Sequence, residues 1–314
     1  MNNMPTTEDR IWAVLSHLSA LAFGMGIVLP IIGWSDQRRK SNYASFQCLQ
    51  ALGYQSLGFT VWILSYLLVM IALLFIMIVT LGLAGDGNGN IGVIIGIWTA
   101  VFIVIIFGLF GLYFLLPIIA AVSCALGRDF HYPVMGNRLA RYLGYDPVDA
   151  TEESAWLIED YEDRWVAAMG HFSVIIALWG MLVPLAALLL QGKRNFFLKF
   201  QSIQTLMFQI GTTLIYFGAG LVYTFGIFLV LATAGLIGEP DFGSPQGILG
   251  IIIFFVSLLI AFVIILLIPL LHIVGQWAGY RVLRGDNYRY PLVGRLVEQW
   301  ISKQDISGIE EKLP

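Results

Sequence analysis

Charge is what this sequence withholds. All 20 Asp and Glu residues and all 17 Lys and Arg residues lie outside the cores of its apolar runs. Charged residues make up 12% of the chain, where a soluble domain carries about 25%, so the chain reads as an integral membrane protein. Ion-coupled transporters and proton pumps usually keep an ionisable side chain within the bilayer, and only imidazoles could serve here. Cysteine is scarce as well. Cys48 and Cys124 both sit inside apolar stretches, which argues against a disulfide framework or a thiolate metal site. Residues Met1–Glu8 have neither a basic region nor a small-residue cleavage site, so the first apolar segment is expected to stay in the mature chain. A net charge of −3 gives no footing for a nucleic-acid partner. Nucleotide loops, His-Glu-x-x-His helices and Gly-x-Ser-x-Gly elbows are all missing. The expectation is a protein that is not an enzyme and holds no cofactor and no metal.

What the chain does contain, it contains twice. Residues 8–55 align without a gap on residues 162–209, at a constant shift of 154 (171 − 17), and fourteen of the 48 pairs are identical. Those identities include His17 with His171, Ser19 with Ser173, Pro30 with Pro184, and Gln47, Gln50 and Gln55 with Gln201, Gln204 and Gln209. A second match closes each half, where Gly127 leads to Tyr132-Pro133 and Gly285 leads to Tyr290-Pro291. Such self-similarity sets the architecture before any other reading. The expected organisation is a first membrane repeat over 1–145, an acidic linker over 146–163, a second repeat over 164–300 and a tail over 301–314.

Each half holds three apolar segments: Ile11–Trp34, Phe46–Leu83 and Ile91–Leu126, then Trp165–Leu190, Phe200–Ile237 and Ile248–Leu283. The second and third of each half would exceed about 50 Å as continuous helices at 1.5 Å per residue, against a hydrocarbon core of roughly 30 Å. The first segment is interrupted by Gly24, Gly26 and Pro30 in one half and by Gly180 and Pro184 in the other. Basic residues follow the first segment (Arg38, Arg39 and Lys40; Lys193, Arg194 and Lys199) and the third (Arg128, Arg138 and Arg141; Arg281, Arg284, Arg289 and Arg295), while the hairpin tips carry only Asp86, Glu239 and Asp241. Placing all four basic stretches in the cytoplasm requires the first segment to enter and leave on one side. The predicted fold is therefore an all-α integral membrane protein of two pseudo-twofold related repeats. Each repeat has a broken, re-entrant helical hairpin followed by two long transmembrane helices, and both termini are cytoplasmic. Six full crossings with inverted repeats form the alternative.

His17, Ser19, Gln47, Gln50 and Gln55, repeated as His171, Ser173, Gln201, Gln204 and Gln209, make the recurring polar set. The three glutamines of each helix share one face, and unsatisfied amides in hydrocarbon are costly. They are expected to bond the histidines and the broken backbone; the other reading is a polar lining for a conduit. Tyr132 and Tyr290 suit the headgroup level. With Arg38, Arg39, Lys40, Arg138, Arg141, Lys193, Arg194 and Arg295 they are predicted as interfacial anchors facing phosphates. The acidic linker, repelled by anionic headgroups, should pair with the protein's own basic loops.

Trp12, His17 and Ser19 at the start, a proline within the first segment, a basic loop, a Gln-rich next span and a closing Gly-x-x-x-x-Tyr-Pro together resemble the Tic20-like family of bacterial membrane proteins. Two copies would cover nearly the whole chain, although the second has Val166 in the place of Trp12. The resemblance implies a membrane-embedded component of a larger assembly in the bacterial inner membrane, with the lipid bilayer and other membrane proteins as partners. It also implies that the tandem chain is a covalent version of a homodimer.

Overall fold

The computed structural model describes residues 5–84, 91–146, 156–233 and 243–310, and among them every regular element is helical. In the first repeat α1 (Thr7–Leu18) leads through a broken stretch to α2 (Val28–Gln37). Then come α3 (Asn42–Gly53), a π-turn (Tyr54–Gly58), α4 (Phe59–Ala84), α5 (Ile91–Ala125) and the short α6 (Met135–Leu143). The second repeat has α7 (Glu159–Phe172), α8 (Leu182–Gln191), α9 (Phe196–Thr233), α10 (Pro245–Leu283) and α11 (Val293–Glu310). Five stretches are long and apolar enough to cross a membrane: Asn42–Gly82, Ile91–Ala125, Glu159–Gln191, Phe196–Leu229 and Gly247–Leu283. The hairpin tips and residues 147–155 of the acidic linker lie outside the described residues.

Glu159–Gln191 is not one straight rod, because its chain reverses. Ser173–Met181 is wound as 3₁₀-helix around Ala177, whose φ of 50° and ψ of −127° leave helical space. The first repeat breaks at the same place, with positive φ at Phe23 and Gly24. Beyond the break α2 runs back along α1: Gly33 packs beside Trp12 and Ser16, and the Gln37 amide donates to Glu8 at 3.0 Å. Glycine is obligatory at the tightest point. A Cβ at Gly26 would stand 1.7 Å from the Ser19 carbonyl oxygen, and one at Gly180 would stand 2.0 Å from that of Ser173. Pro30 and Pro184 sit in the first turns of α2 and α8, where no intrahelical donor is lost. Thr6 begins α1 with a capping box to Asp9, which satisfies two exposed donors at once.

The two folded-back pairs share one core. Ile27, Ile31, Trp34, Phe46, Leu49 and Leu52 of the first repeat pack with Trp165, Met169, Phe172, Val183 and Leu198 of the second. α2 lies against α8, with the Gln191 amide donating to Ser35 Oγ at 2.7 Å. The Trp165 indole donates to the Leu49 carbonyl at 2.9 Å.

The long helices differ between the halves. Rings of Trp62, Tyr66, Phe110 and Tyr113 stand between α4 and α5 and hold the helix axes apart. Between α9 and α10, Gly226 faces Ser257 so closely that a Cβ would lie 2.5 Å from the serine Cβ. Small residues bring helix backbones together in this way. Outward faces are apolar throughout, as at Leu68, Phe75, Val104, Phe107, Leu221 and Phe228.

Candidate functional site: two buried imidazole networks and an inter-repeat clamp

His17 is fully buried, and both its ring nitrogens are engaged. Nε2 lies 3.0 Å from Gln47 Oε1, and Nδ1 lies 3.0 Å from the Tyr132 hydroxyl. The surroundings fix the tautomer. Gln47 spends its amide hydrogens on Asp129 Oδ1 (2.7 Å) and the Phe130 carbonyl (3.1 Å), so its Oε1 accepts and Nε2 carries the proton. Nδ1 then accepts from Tyr132, whose burial raises its hydroxyl pKa well above the usual phenol value and keeps the donor protonated. Gln50 closes the ring, accepting from the Tyr132 backbone N–H at 3.0 Å and donating to the Phe130 carbonyl at 2.7 Å.

The second repeat rebuilds this ring. His171 Nε2 lies 3.0 Å from Gln201 Oε1 and Nδ1 2.9 Å from the Tyr290 hydroxyl. Gln201 donates to Asn287 Oδ1 at 2.7 Å, and Gln204 donates to the Tyr288 carbonyl at 2.8 Å. Burial raises the Tyr290 pKa in the same way. One difference is Thr205, whose hydroxyl lies 3.0 Å from His171 Nδ1; Ala51 occupies that place in the first half.

Gln55 and Gln209 serve the broken backbone. Gln55 donates to the Ser16 carbonyl (3.3 Å) and Ser19 Oγ (3.0 Å), and Gln209 to the Gly170 carbonyl (2.8 Å) and Ser173 Oγ (3.2 Å). Ser19 and Ser173 in turn donate to the carbonyls three residues back, both at 2.7 Å. Each imidazole is thus committed within its own half, and an axial metal ligand would have to break one of these bonds. Among the described residues no group of three or more His, Cys, Asp or Glu side chains is placed to hold a metal ion.

Several predicted anchors are turned into the protein rather than toward its surface. Tyr132 and Tyr290 are 3% and 2% exposed and act as imidazole donors, their hydroxyls committed to His17 and His171. Arg38 is also buried. Its guanidinium meets Glu159 at 3.3 Å, Glu162 at 3.1 Å and Asp163 at 2.8 Å, stacks 4.9 Å over the Trp34 ring, and so clamps the first repeat to the second. Trp34 donates to Glu162 at 3.1 Å. Arg39 pairs with Glu159 and Lys40 with Asp36, so the whole first basic loop is neutralised by acids, three of them supplied by the linker and the start of α7. Arg138, Arg141, Lys193, Arg194 and Arg295 do project outward, the first two from α6, which buries Leu139 and Leu143 on its other face.

Two signals pointed to these contacts. Tyr132 and Tyr290 recur at matched positions behind the histidine and glutamine pairs. Arg38 is the one cation of its loop without a counterpart, since Gly192 stands at the equivalent position.

No curated protein and no solved structure matches the chain. A family description does, twice, over residues 8–139 and 162–297. It is not the Tic20-like family. The features that suggested that resemblance are the histidine, glutamine, proline and Tyr-Pro positions, which here build the folded-back hairpin and its network. With both repeats matched, the chain belongs to the magnetosome magnetite crystal formation protein family, as a tandem duplication of its unit.

Proposed function

We propose that this protein is a non-enzymatic component of the magnetosome membrane that supports magnetite crystal formation as a structural or accessory subunit. The observation that carries this reading is the use of the polar side chains. In both repeats the imidazoles, the glutamine amide N–H groups and the Ser19 and Ser173 hydroxyls, which could have formed a reactive centre, hold the chain reversal and the Tyr-Pro loop. The apolar outer faces of α4, α5, α9 and α10 are left for lipid and for neighbouring membrane proteins. Each first segment is re-entrant, because α2 returns along α1 and α8 along α7. Four helices then cross fully, and the basic loops and termini face the cytoplasm. Polar side chains turned onto the broken backbone and the Tyr-Pro loop favour this over a conduit, which needs donors and acceptors open to a passing solute.

The test is in-membrane crosslinking on isolated magnetosomes, coupled to deletion of the chain. The expected result is a set of reproducible membrane-protein neighbours and crystals altered in size or number. A chain that crosslinks to nothing, with unaltered crystals after its deletion, overturns the proposal.

A further inference from the structure

The repeat offers an internal comparison at its two basic loops. In the first loop every cation has an acid: Arg38 and Arg39 meet Glu159, Glu162 and Asp163, and Lys40 meets Asp36. In the second loop the positions of those acids are filled otherwise. Leu190 stands where Asp36 does, and Pro5 stands where Glu159 does. Glu8 and Asp9 match Glu162 and Asp163 but are committed to Gln37 and to the Thr6 cap. Lys199 adds a further cation where the first repeat has Ser45. Lys193, Arg194 and Lys199 have no carboxylate within ion-pair distance among the described residues. Asp163, on neighbouring α7, is taken by Arg38 and Asn195.

These three side chains surround an open cavity of about 610 Å³ with Leu188, Leu189, Gly192 and Phe196. The apolar part of its rim does not stop there. Leu189 is 72% and Phe196 64% exposed, and the outward face of the hairpin continues through Leu185 to Leu178 near the reversal. A cation cluster opening onto an apolar track has the two-part chemistry of a phospholipid, with a phosphate oxyanion above and an acyl chain below.

We propose that this notch binds the phosphate-bearing headgroup of an anionic phospholipid. The headgroup takes the place that the acidic side chains occupy in the first repeat. Lys193, Arg194 and Lys199 supply charge, and Leu189 and Phe196 seat the upper part of an acyl chain. The site does not depend on the crystal-forming role, since any bilayer with anionic lipid would fill it.

Native mass spectrometry on the delipidated full-length protein tests this by titration with phosphatidylglycerol, phosphatidylcholine and inorganic phosphate. Phosphatidylglycerol should bind in preference to phosphatidylcholine, and K193Q/R194Q should weaken it about tenfold, which equals about 1.4 kcal/mol. The matched double substitution R39Q/K40Q, which removes the same charge from the paired loop, should leave binding within twofold, and K193R/R194K should restore it. K199Q serves as a second, milder variant. Equal binding of the two lipids overturns the site, and so does equal loss in both double variants. Inorganic phosphate binding as tightly as the lipid overturns the lipid assignment.

Discussion

Each buried histidine is held by a tyrosine that the sequence presents as a surface anchor. Tyr132→Phe removes the one donor to His17 Nδ1 among the described residues and leaves a buried acceptor unpaired, at a cost of about 1–3 kcal/mol. Tyr290→Phe should cost less, because Thr205 stands 3.0 Å from His171 Nδ1 and can turn its hydroxyl toward the ring. Unfolding in mixed micelles, followed by tryptophan fluorescence, measures both. Equal losses would show that Thr205 gives no cover, and no loss in either would dissolve the network account. The pairing of histidine with glutamine was legible from the sequence, since His17, Gln47 and their equivalents recur at fixed spacing and cannot face lipid unsatisfied. The tyrosine was not, because the habit of aromatic rings at interfaces pointed the other way. Only the 115-residue separation closed by the fold brings Tyr132 to His17.

At the level of elements, the two reversals depend on a missing side chain. Gly26→Ala and Gly180→Ala would each drive a methyl into the backbone carbonyl of Ser19 or Ser173, residues whose side chains Gln55 and Gln209 bond. Either substitution should deplete the folded protein in the membrane fraction. Gly82→Ala and Gly108→Ala, in the long helices with nothing within 4 Å of the new methyl, should be tolerated or slightly stabilising, since alanine favours helix over glycine by up to about 1 kcal/mol. Four equally tolerated variants would remove the steric reason for glycine at the turns. Single cysteines at Lys40 and Lys193 should label from the same face of intact vesicles, with Cys48 and Cys124 silent because both are buried. Labelling from opposite faces would replace the re-entrant arrangement by six crossings. The break itself could be read from Gly24, Gly26 and Pro30. The π-turn at Tyr54–Gly58 could not, because its residues are ordinary helix formers apart from one glycine and the matching part of α9 is regular.

Across the shared apolar core, the ion-pair joint between the halves centres on one guanidinium. Arg38→Ala leaves Glu162 and Asp163 buried without a cation, a change that typically costs about 3–5 kcal/mol. Arg38→Lys replaces a planar five-donor fork by three donors on one nitrogen and gives up the stacking on Trp34, so it should restore the joint only in part. A protease site placed in the 147–155 linker makes the effect visible: after cleavage the wild-type halves should co-purify and the Arg38→Ala halves should part. Halves that stay together despite Arg38→Ala would assign the joint to the shared apolar core alone. That joint was only half legible. The acidic linker announced that it would meet basic loops, but the choice of the first loop over the second depends on the packing of α2 against α8.

The single arginine has a consequence for how the duplicated halves relate. The first half carries both a guanidinium at Arg38 and acids at Glu8 and Asp9, so it holds the two sides of the clasp and could meet a copy of itself. The second carries acids at Glu162 and Asp163 but Gly192 in place of the arginine, so a pair of second halves would bring those buried carboxylates together with no guanidinium at that position. One half has remained self-complementary, and the other survives as its dependent. The tether between them therefore does more than keep two equals together: it keeps the second half's buried acids beside the arginine that they meet.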